Sequence, residues 1–253
     1  MIIDRPTPEL LPALRTLWRE AFRDTDEFLD AFQRTAMSAD RCRCAVVDGC
    51  LAAALYWFDC SCGGYPVAYV YAVATAKAFR GRGICTALME DTHRQLERLG
   101  YEGAVLVPGS ESLFGMYEKM GYRSCCGVRS FVCGAAPEDV PLYRVDKEEY
   151  ARLRRQLLPE GAVVQENENL DFLATMADFY AGQGFLLAAH KTGDRLEGIE
   201  LLGNEGAAPG ILEALGCAEG SFRTPGDGEP FAMYRPLGGS KLAMPTYFGL
   251  AFD

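Results

Sequence analysis

The stretch Tyr69-Val-Tyr-Ala-Val-Ala-Thr-Ala-Lys-Ala-Phe-Arg-Gly-Arg-Gly-Ile-Cys85 decides how this chain reads. Its apolar first half predicts a β-strand over about residues 66–75, and the incomplete alternation suits a central strand covered on both faces. A tight basic turn follows, Arg80-Gly81-Arg82-Gly83, and then a helix predicted over about residues 83–99. Backbone N–H groups at a helix start have no partner within the helix, and the helix dipole makes that end positive. A strand, a turn and a helix in this order therefore form a ready site for a phosphate. Gly81 and Gly83 let the backbone approach an anion because no Cβ intervenes, and Arg80 and Arg82 add fixed positive charge.

Working outward, a second landmark is Leu113-Phe-Gly-Met-Tyr-Glu-Lys-Met-Gly-Tyr122. The two segments together resemble the GNAT superfamily of acyl-CoA-dependent N-acyltransferases. That family carries Arg/Gln-x-x-Gly-x-Gly/Ala after its fourth strand and Tyr-Glu-Lys-x-Gly-Phe/Tyr on a later helix. Here the first motif reads Arg80-Gly81-Arg82-Gly83-Ile84-Cys85, with Cys where Gly or Ala is usual; a thiol is only slightly larger than a methyl. The resemblance spans roughly residues 40–134.

The elements between the landmarks fall in a matching order. Thr7-Pro8-Glu9 reads as a helix start, with Thr as N-cap and Pro at the first helical position. Leu10, Leu11, Leu14, Leu17, Trp18 and Phe22 then follow helical spacing. A second helix is predicted over about residues 26–37. Strands at 42–48 and 51–58 flank Asp48-Gly49, a hairpin signal. After the motif helix come a short strand at Gly103–Val107, a helix around 111–120, and a closing strand pair at about 122–125 and 128–133. The chain changes character after Ala135. Asp146-Lys-Glu-Glu149 resembles a capping box opening a helix to about Leu158, and another helix is predicted over Leu170–Tyr180. Gly184–Lys191 and Leu196–Leu202 read as a hairpin. Ala207–Leu215 reads as a helix stopped by Gly216, and Ser221–Arg223 and Pro230–Arg235 as two short strands. The expected fold is α/β (α+β): a mixed, mostly antiparallel central sheet flanked by helices in residues 1–135, and a smaller α+β unit in residues 136–253. That smaller unit is either a degenerate half of the first or an unrelated appendage. The aromatic tail Pro245–Asp253 is expected to pack against the protein.

Bulk properties narrow the functions. The formal net charge is −10, which argues against nucleic acid as a partner because phosphate contacts need a basic surface. It is compatible with a cationic amine, or with plain solubility. No apolar run approaches the ~20 residues that span a membrane. Met1-Ile-Ile-Asp-Arg-Pro lacks the pattern of a secretory leader, so a cytoplasmic location is expected. The ten cysteines include the close pairs Cys42/Cys44, Cys60/Cys62 and Cys125/Cys126. None has the Cys-x₂₋₄-Cys spacing of a zinc site, so reduced, mostly buried thiols are expected and no metal. On a strand, an i, i+2 pair shares a face, which makes Cys42 and Cys44 candidate core residues.

The resemblance implies acetyl-CoA as co-substrate, lying across the motif strand and its turn. Backbone groups of Val73, Ala74 and Thr75 would face the pantetheine arm. The Val73 N–H would polarise the thioester carbonyl, as an oxyanion hole does. The amides from Gly81 through Ile84 to Cys85 would hold the pyrophosphate, with Arg80 and Arg82 alongside. Ser110 and Phe114 fall where the family often touches the cofactor. Tyr117 aligns with the tyrosine that protonates the departing thiolate; the plainer reading is a core tyrosine on an amphipathic helix. Many relatives carry a glutamate base beside the motif strand, and here that strand offers only Tyr69 and Tyr71. The substitutes are water, His190, or the C-terminal Asp253, since the tail resembles that of multi-unit relatives whose chain end reaches the active site. His93 is expected on the surface. Cys85, at a helix start beside arginines, is expected to have a lowered thiol pKa. The implied activity is N-acetylation of a primary amine of a small molecule or peptide by direct attack. The competing reading is a non-catalytic acyl-CoA-binding regulatory module. A dinucleotide-binding enzyme fits poorly, because Gly81-x-Gly83 lacks the third glycine: position 86 is Thr. Free edges of the two sheet units could pair in a homodimer.

Overall fold

The computed structural model describes residues 1–252 and divides into two units: residues 1–123 with 233–242, and residues 124–232 with the tail from 243. In chain order the first part contains β1 (Ile2–Asp4), α1 (Leu11–Phe22), α2 (Asp26–Thr35), β2 (Cys42–Val47), β3 (Cys50–Cys62), β4 (Tyr65–Thr75), α3 (Ile84–Arg98), β5 (Gly103–Leu106) and α4 (Phe114–Glu118). The rest contains β6 (Arg123–Gly134), β7 (Leu142–Val145), α5 (Lys147–Leu157), β8 (Val163–Gln165), α6 (Glu168–Leu173), β9 (Asp178–Gly182), β10 (Phe185–Thr192), β11 (Arg195–Gly203), α7 (Ala208–Leu215), β12 (Glu219–Pro225) and β13 (Glu229–Pro236).

In the first unit the strand order is β1-β2-β3-β4-β5-β13, antiparallel except for the parallel pair β4–β5. Local chemistry sets the elements. Asp48 and Gly49 both adopt positive φ, 50° and 80°, as the tight β2–β3 hairpin requires. The Thr25 hydroxyl caps α2 by accepting from the Phe28 N–H at 3.3 Å. Thr7 makes no such bond: the chain passes through a 3₁₀ turn at Pro8–Leu10 before α1 begins. Helix α3 buries Ile84, Leu88, Met89, Thr92, His93 and Leu96, one helical stripe against the sheet. Fully buried Leu88 and Met89 each contribute about 1.5–3 kcal/mol.

The second unit has the strand order β6-β12-β11-β10-β9-β7, antiparallel except for the parallel pair β11–β12. Apart from β8, which lies between α5 and α6, its element order repeats that of the first unit: an edge strand, helices, a three-strand meander, a crossover helix, a parallel strand. Each unit is completed by an antiparallel strand next to the parallel one, β13 beside β5 and β6 beside β12. Asp146 caps α5 by accepting from the Glu149 N–H at 2.8 Å, and Gly216 ends α7 in the left-handed conformation. The tail is packed, with Tyr247, Phe248 and Leu250 buried.

Three sequence expectations are corrected. The strand pair at 122–125 and 128–133 is the single strand β6, and the strand that closes the first unit beside β5 is β13. The strands at 221–223 and 230–235 are therefore not partners. The helix over Leu170–Tyr180 is only α6; residues 178–182 form β9, held between β7 and β10. The boundary expected after residue 135 falls at Arg123/Ser124, with residues 233–242 returning to the first unit.

Candidate active site

The site is built where β4 and β5 part. The two strands pair only at Val67–Gly103, Ala68–Ala104 and Tyr69–Val105, while β4 continues to Thr75 and stays paired with β3 on its other side. At the point of parting the register between β3 and β4 shifts between Ala54 and Tyr56, and Ala72 takes a φ of 49°. This is a β-bulge, which bends a strand and redirects its backbone groups. Val73, Ala74 and Thr75 lie just past it.

The turn after β4 is tied back to the strand by the Arg80 Nε–H, which donates to the Thr75 carbonyl at 3.0 Å. Gly81 and Gly83 have φ of 72° and 73°, and nothing lies within 4 Å of where a Cβ would stand. Gly83 is the N-cap of α3 and offers no side chain to cap it. The first helical bond is from the Ala87 N–H to the Gly83 carbonyl, 3.0 Å. The amides of Gly81 through Thr86 thus have no partner among the described residues. An open run of N–H donors at the positive end of a long helix, flanked by Arg80 and Arg82, is a fit for a pyrophosphate. Arg82 itself lies over the Phe79 ring, 5.2 Å from its centre.

Tyr117 on α4 belongs to the same apolar cluster as Ile84, with Val73, Phe79, Cys85 and Phe114 packed against it. Residues far apart in sequence are brought together here. Tyr117 is 6% exposed and stacks edge-on to Tyr122 at 5.8 Å. Burial first, and the Cys85 thiol second, push its phenol pKa well above the ordinary value, so it keeps its proton at neutral pH. Its hydroxyl has no hydrogen-bond partner among the described residues, which leaves it free to donate. Ser110 is exposed, and its hydroxyl shares a hydrogen bond with Ser112 at 2.9 Å.

Other candidates stand differently from expectation. Cys85 is half-buried and burial raises its pKa; desolvation of the thiolate outweighs the hydrogen bond with Thr75, which lowers it. His93 is buried at 2% exposure, with Nε2 2.8 Å from the Tyr122 hydroxyl and Nδ1 unpartnered. Burial, and then Arg235 and Arg94, push its pKa down to about 3. His190 is an exposed residue of the second unit whose Nδ1–H donates to the Met176 carbonyl at 2.9 Å. Asp253 lies outside the described residues. Among the described residues no three His, Cys, Asp or Glu side chains could hold a metal ion together.

An aromatic wall was not singled out from the sequence. Tyr71, immediately before the bulge, lies 5.7 Å from Trp18, 6.0 Å from Phe32 and 5.4 Å from Phe58, between ring centres. Trp18 in turn meets Phe32 at 4.7 Å and Tyr56 at 5.2 Å, and its Nε1–H donates to Asp24 at 2.7 Å. The signal was available in the period-two aromatics Tyr56/Phe58 and Tyr69/Tyr71.

Residues 3–125 match the acetyltransferase (GNAT) domain. The fold is similar to that of a GCN5-related N-acetyltransferase from Anabaena variabilis, with a TM-score of 0.74, 15% identity, and 92% of this chain and 72% of that one covered. A GCN5-related N-acetyltransferase from Kribbella flavida gives a TM-score of 0.71 at 16% identity, covering 93% and 69%. Eis1 from Mycobacterium abscessus gives 0.67 at 14% identity, covering 93% and 74%. No curated protein matches the chain in sequence.

Proposed function

We propose that this chain, whose residues 3–125 match the acetyltransferase (GNAT) domain, transfers an acetyl group from acetyl-CoA to a primary amine of a small molecule or peptide. The observation that carries this reading is the run of uncommitted amides from Gly81 to Thr86 beside the β4–β5 opening. Acetyl-CoA supplies an activated acetyl thioester. The amides of Gly81 to Cys85, with Arg80 and Arg82, hold its phosphates. Backbone groups of Val73, Ala74 and Thr75 orient its arm, and the Val73 N–H stabilises negative charge on the acetyl oxygen as the amine attacks. The Tyr117 hydroxyl donates to the departing sulfur. Holding both reactants together supplies much of the rate, because attack becomes effectively unimolecular.

No carboxylate stands on β4, so the base comes from water, from His190 or, as we infer, from the Asp253 carboxylate. Deleting the last two residues tests it: full turnover by the truncated chain removes Asp253 from the mechanism. The same missing carboxylate favours the alternative, an acyl-CoA-binding module without turnover. A Tyr117→Phe variant separates the two. With an enzyme, acetylation of a panel of amines falls sharply while acetyl-CoA binding holds. With a binding module, neither protein turns over any amine.

A further inference from the structure

Cys125 and Cys126 follow one another in β6, yet both are buried and their Sγ atoms are 3.2 Å apart. In a regular strand, neighbouring side chains point to opposite faces. Cys126 departs from that pattern with a φ of 60°, a left-handed conformation unfavourable for a residue with a side chain. Its thiol also reaches the tail: the Cys126 S–H donates to the Pro245 carbonyl at 3.4 Å. Pro245 opens the segment that is fastened by the Thr246 N–H to the Gly161 carbonyl at 3.0 Å, and by the Leu250 N–H to Gln165 at 3.2 Å. No third metal-ligating side chain joins the pair among the described residues, which removes a zinc site.

We infer that Cys125 and Cys126 form a reversible disulfide switch that releases the start of the C-terminal segment, driven by exchange with a small disulfide of the glutathione class. The Cys125 thiolate, the more open of the two at 9% exposure against 5%, attacks one sulfur of the small disulfide and expels a thiolate. The Cys126 thiolate then attacks the Cys125 Sγ, forming the protein S–S bond and expelling the second small thiolate. The protein loses two electrons and two protons, and the small disulfide becomes two thiols. Adjacent Cα atoms lie ~3.8 Å apart across a trans peptide, closer than the ~4.4–6.8 Å usual in disulfides. The ring is therefore strained and readily reduced, which suits a switch and not a staple. Once oxidised, Cys126 has no S–H to offer Pro245.

The test uses the intact wild-type chain equilibrated over a range of oxidised-to-reduced glutathione ratios, then alkylated and digested with trypsin. Cleavage after Arg123 and Arg129 isolates Ser124-Cys-Cys-Gly-Val-Arg129, which holds both thiols. The expected result is an unalkylated peptide about two mass units lighter than the dithiol form, since two hydrogens leave. It should grow with oxidation and vanish on adding dithiothreitol. Hydrogen exchange at Thr246 and Leu250 should speed up about tenfold on oxidation, the worth of one hydrogen bond, and stay unchanged in Cys126→Ser. A peptide alkylated twice at every ratio, one carrying a single glutathione without closing, or one cross-linked to a different cysteine overturns the inference. So does ring closure that leaves exchange at Thr246 and Leu250 untouched.

Discussion

Removing either partner of the buried Arg154–Glu200 pair should destabilise the second unit, whereas removing both should cost much less than the sum. Arg154 is 1% exposed and Glu200 0%. The Glu200 carboxylate accepts from Arg154 Nε at 2.7 Å and Nη2 at 2.9 Å, from the Tyr150 hydroxyl at 2.7 Å and from the Tyr247 hydroxyl at 3.1 Å. Burial by itself would discharge the Arg154 guanidinium, and the Glu200 carboxylate outweighs it, raising the arginine pKa further. In Glu200→Leu the guanidinium keeps only Gln165, at 3.5 Å, and it cannot deprotonate. The loss should lie near the top of the ~3–5 kcal/mol range for breaking a buried pair. In Arg154→Met the carboxylate keeps two tyrosine hydroxyls as donors, so the loss should lie near the bottom of that range. The double variant removes both charges and should lose ~2 kcal/mol or less. Urea denaturation by far-UV circular dichroism gives the free energies. Peptide-resolved hydrogen exchange should place the loss in residues 124–232 and 243–252, Leu250 included, because Gln165 joins this network to the tail. Additive losses in the double variant, near 8 kcal/mol on the same scale, would refute the reasoning.

Other outcomes follow from single residues. His93 is neutral when folded, with its pKa down at about 3 against a reference of 6.5. The unfolded chain therefore binds the extra proton first. The stability His93 contributes is whole above pH 6.5 and falls by about 1.4 kcal/mol per pH unit as the pH drops toward 3; His93→Gln should flatten that limb in denaturation curves taken between pH 6.5 and 4. Tyr117→Phe should lower kcat by about 10²–10⁴-fold with acetyl-CoA affinity unchanged in titration, and equal loss of both would make Tyr117 a packing residue only. Trp18→Ala removes the centre of the aromatic wall and should cost about 3–5 kcal/mol by urea denaturation.

The first unit was legible because its punctuation is local. Asp48-Gly49 demands a hairpin, and Gly81 and Gly83 demand positive φ, so neighbouring elements fall into place from short windows. The buried face of α3 was also available: Met89, Thr92, His93 and Leu96 share the i, i+3, i+4, i+7 stripe, and taking His93 for a surface residue overlooked that spacing. What could not be read is pairing over long separations. Nothing in Met233-Tyr-Arg-Pro236 states that it will lie beside Gly103–Leu106, since register between distant strands is fixed by the assembled sheet. Cys125-Cys126-Gly127 reads as a turn because glycine follows two small residues, yet β6 runs straight through it, with the left-handed φ at Cys126. Phe179 and Tyr180 favour a strand, a local signal that the helix reading of Leu170–Tyr180 passes over, and sheet partners on both sides hold Asp178–Gly182 as one. The open amides after β4 were legible from the placement of Gly81 and Gly83. The β4 bulge at Ala72 was not, because alanine gives no hint of positive φ.

The most direct test of the acetyl-CoA site is isothermal titration of the wild-type chain with acetyl-CoA beside a Gly83→Glu variant. A Cβ at position 83 meets nothing within 4 Å, but the φ of 73° strains any side chain there, so a Gly83→Ala variant run alongside separates that backbone strain from the effect of a carboxylate at the open amides. Like charges held together cost several kcal/mol, so saturable wild-type binding should weaken by about 100-fold or more in Gly83→Glu. A wild-type chain that does not bind acetyl-CoA, or a Gly83→Glu variant that binds it equally well, would contradict the assignment of this turn as the phosphate site.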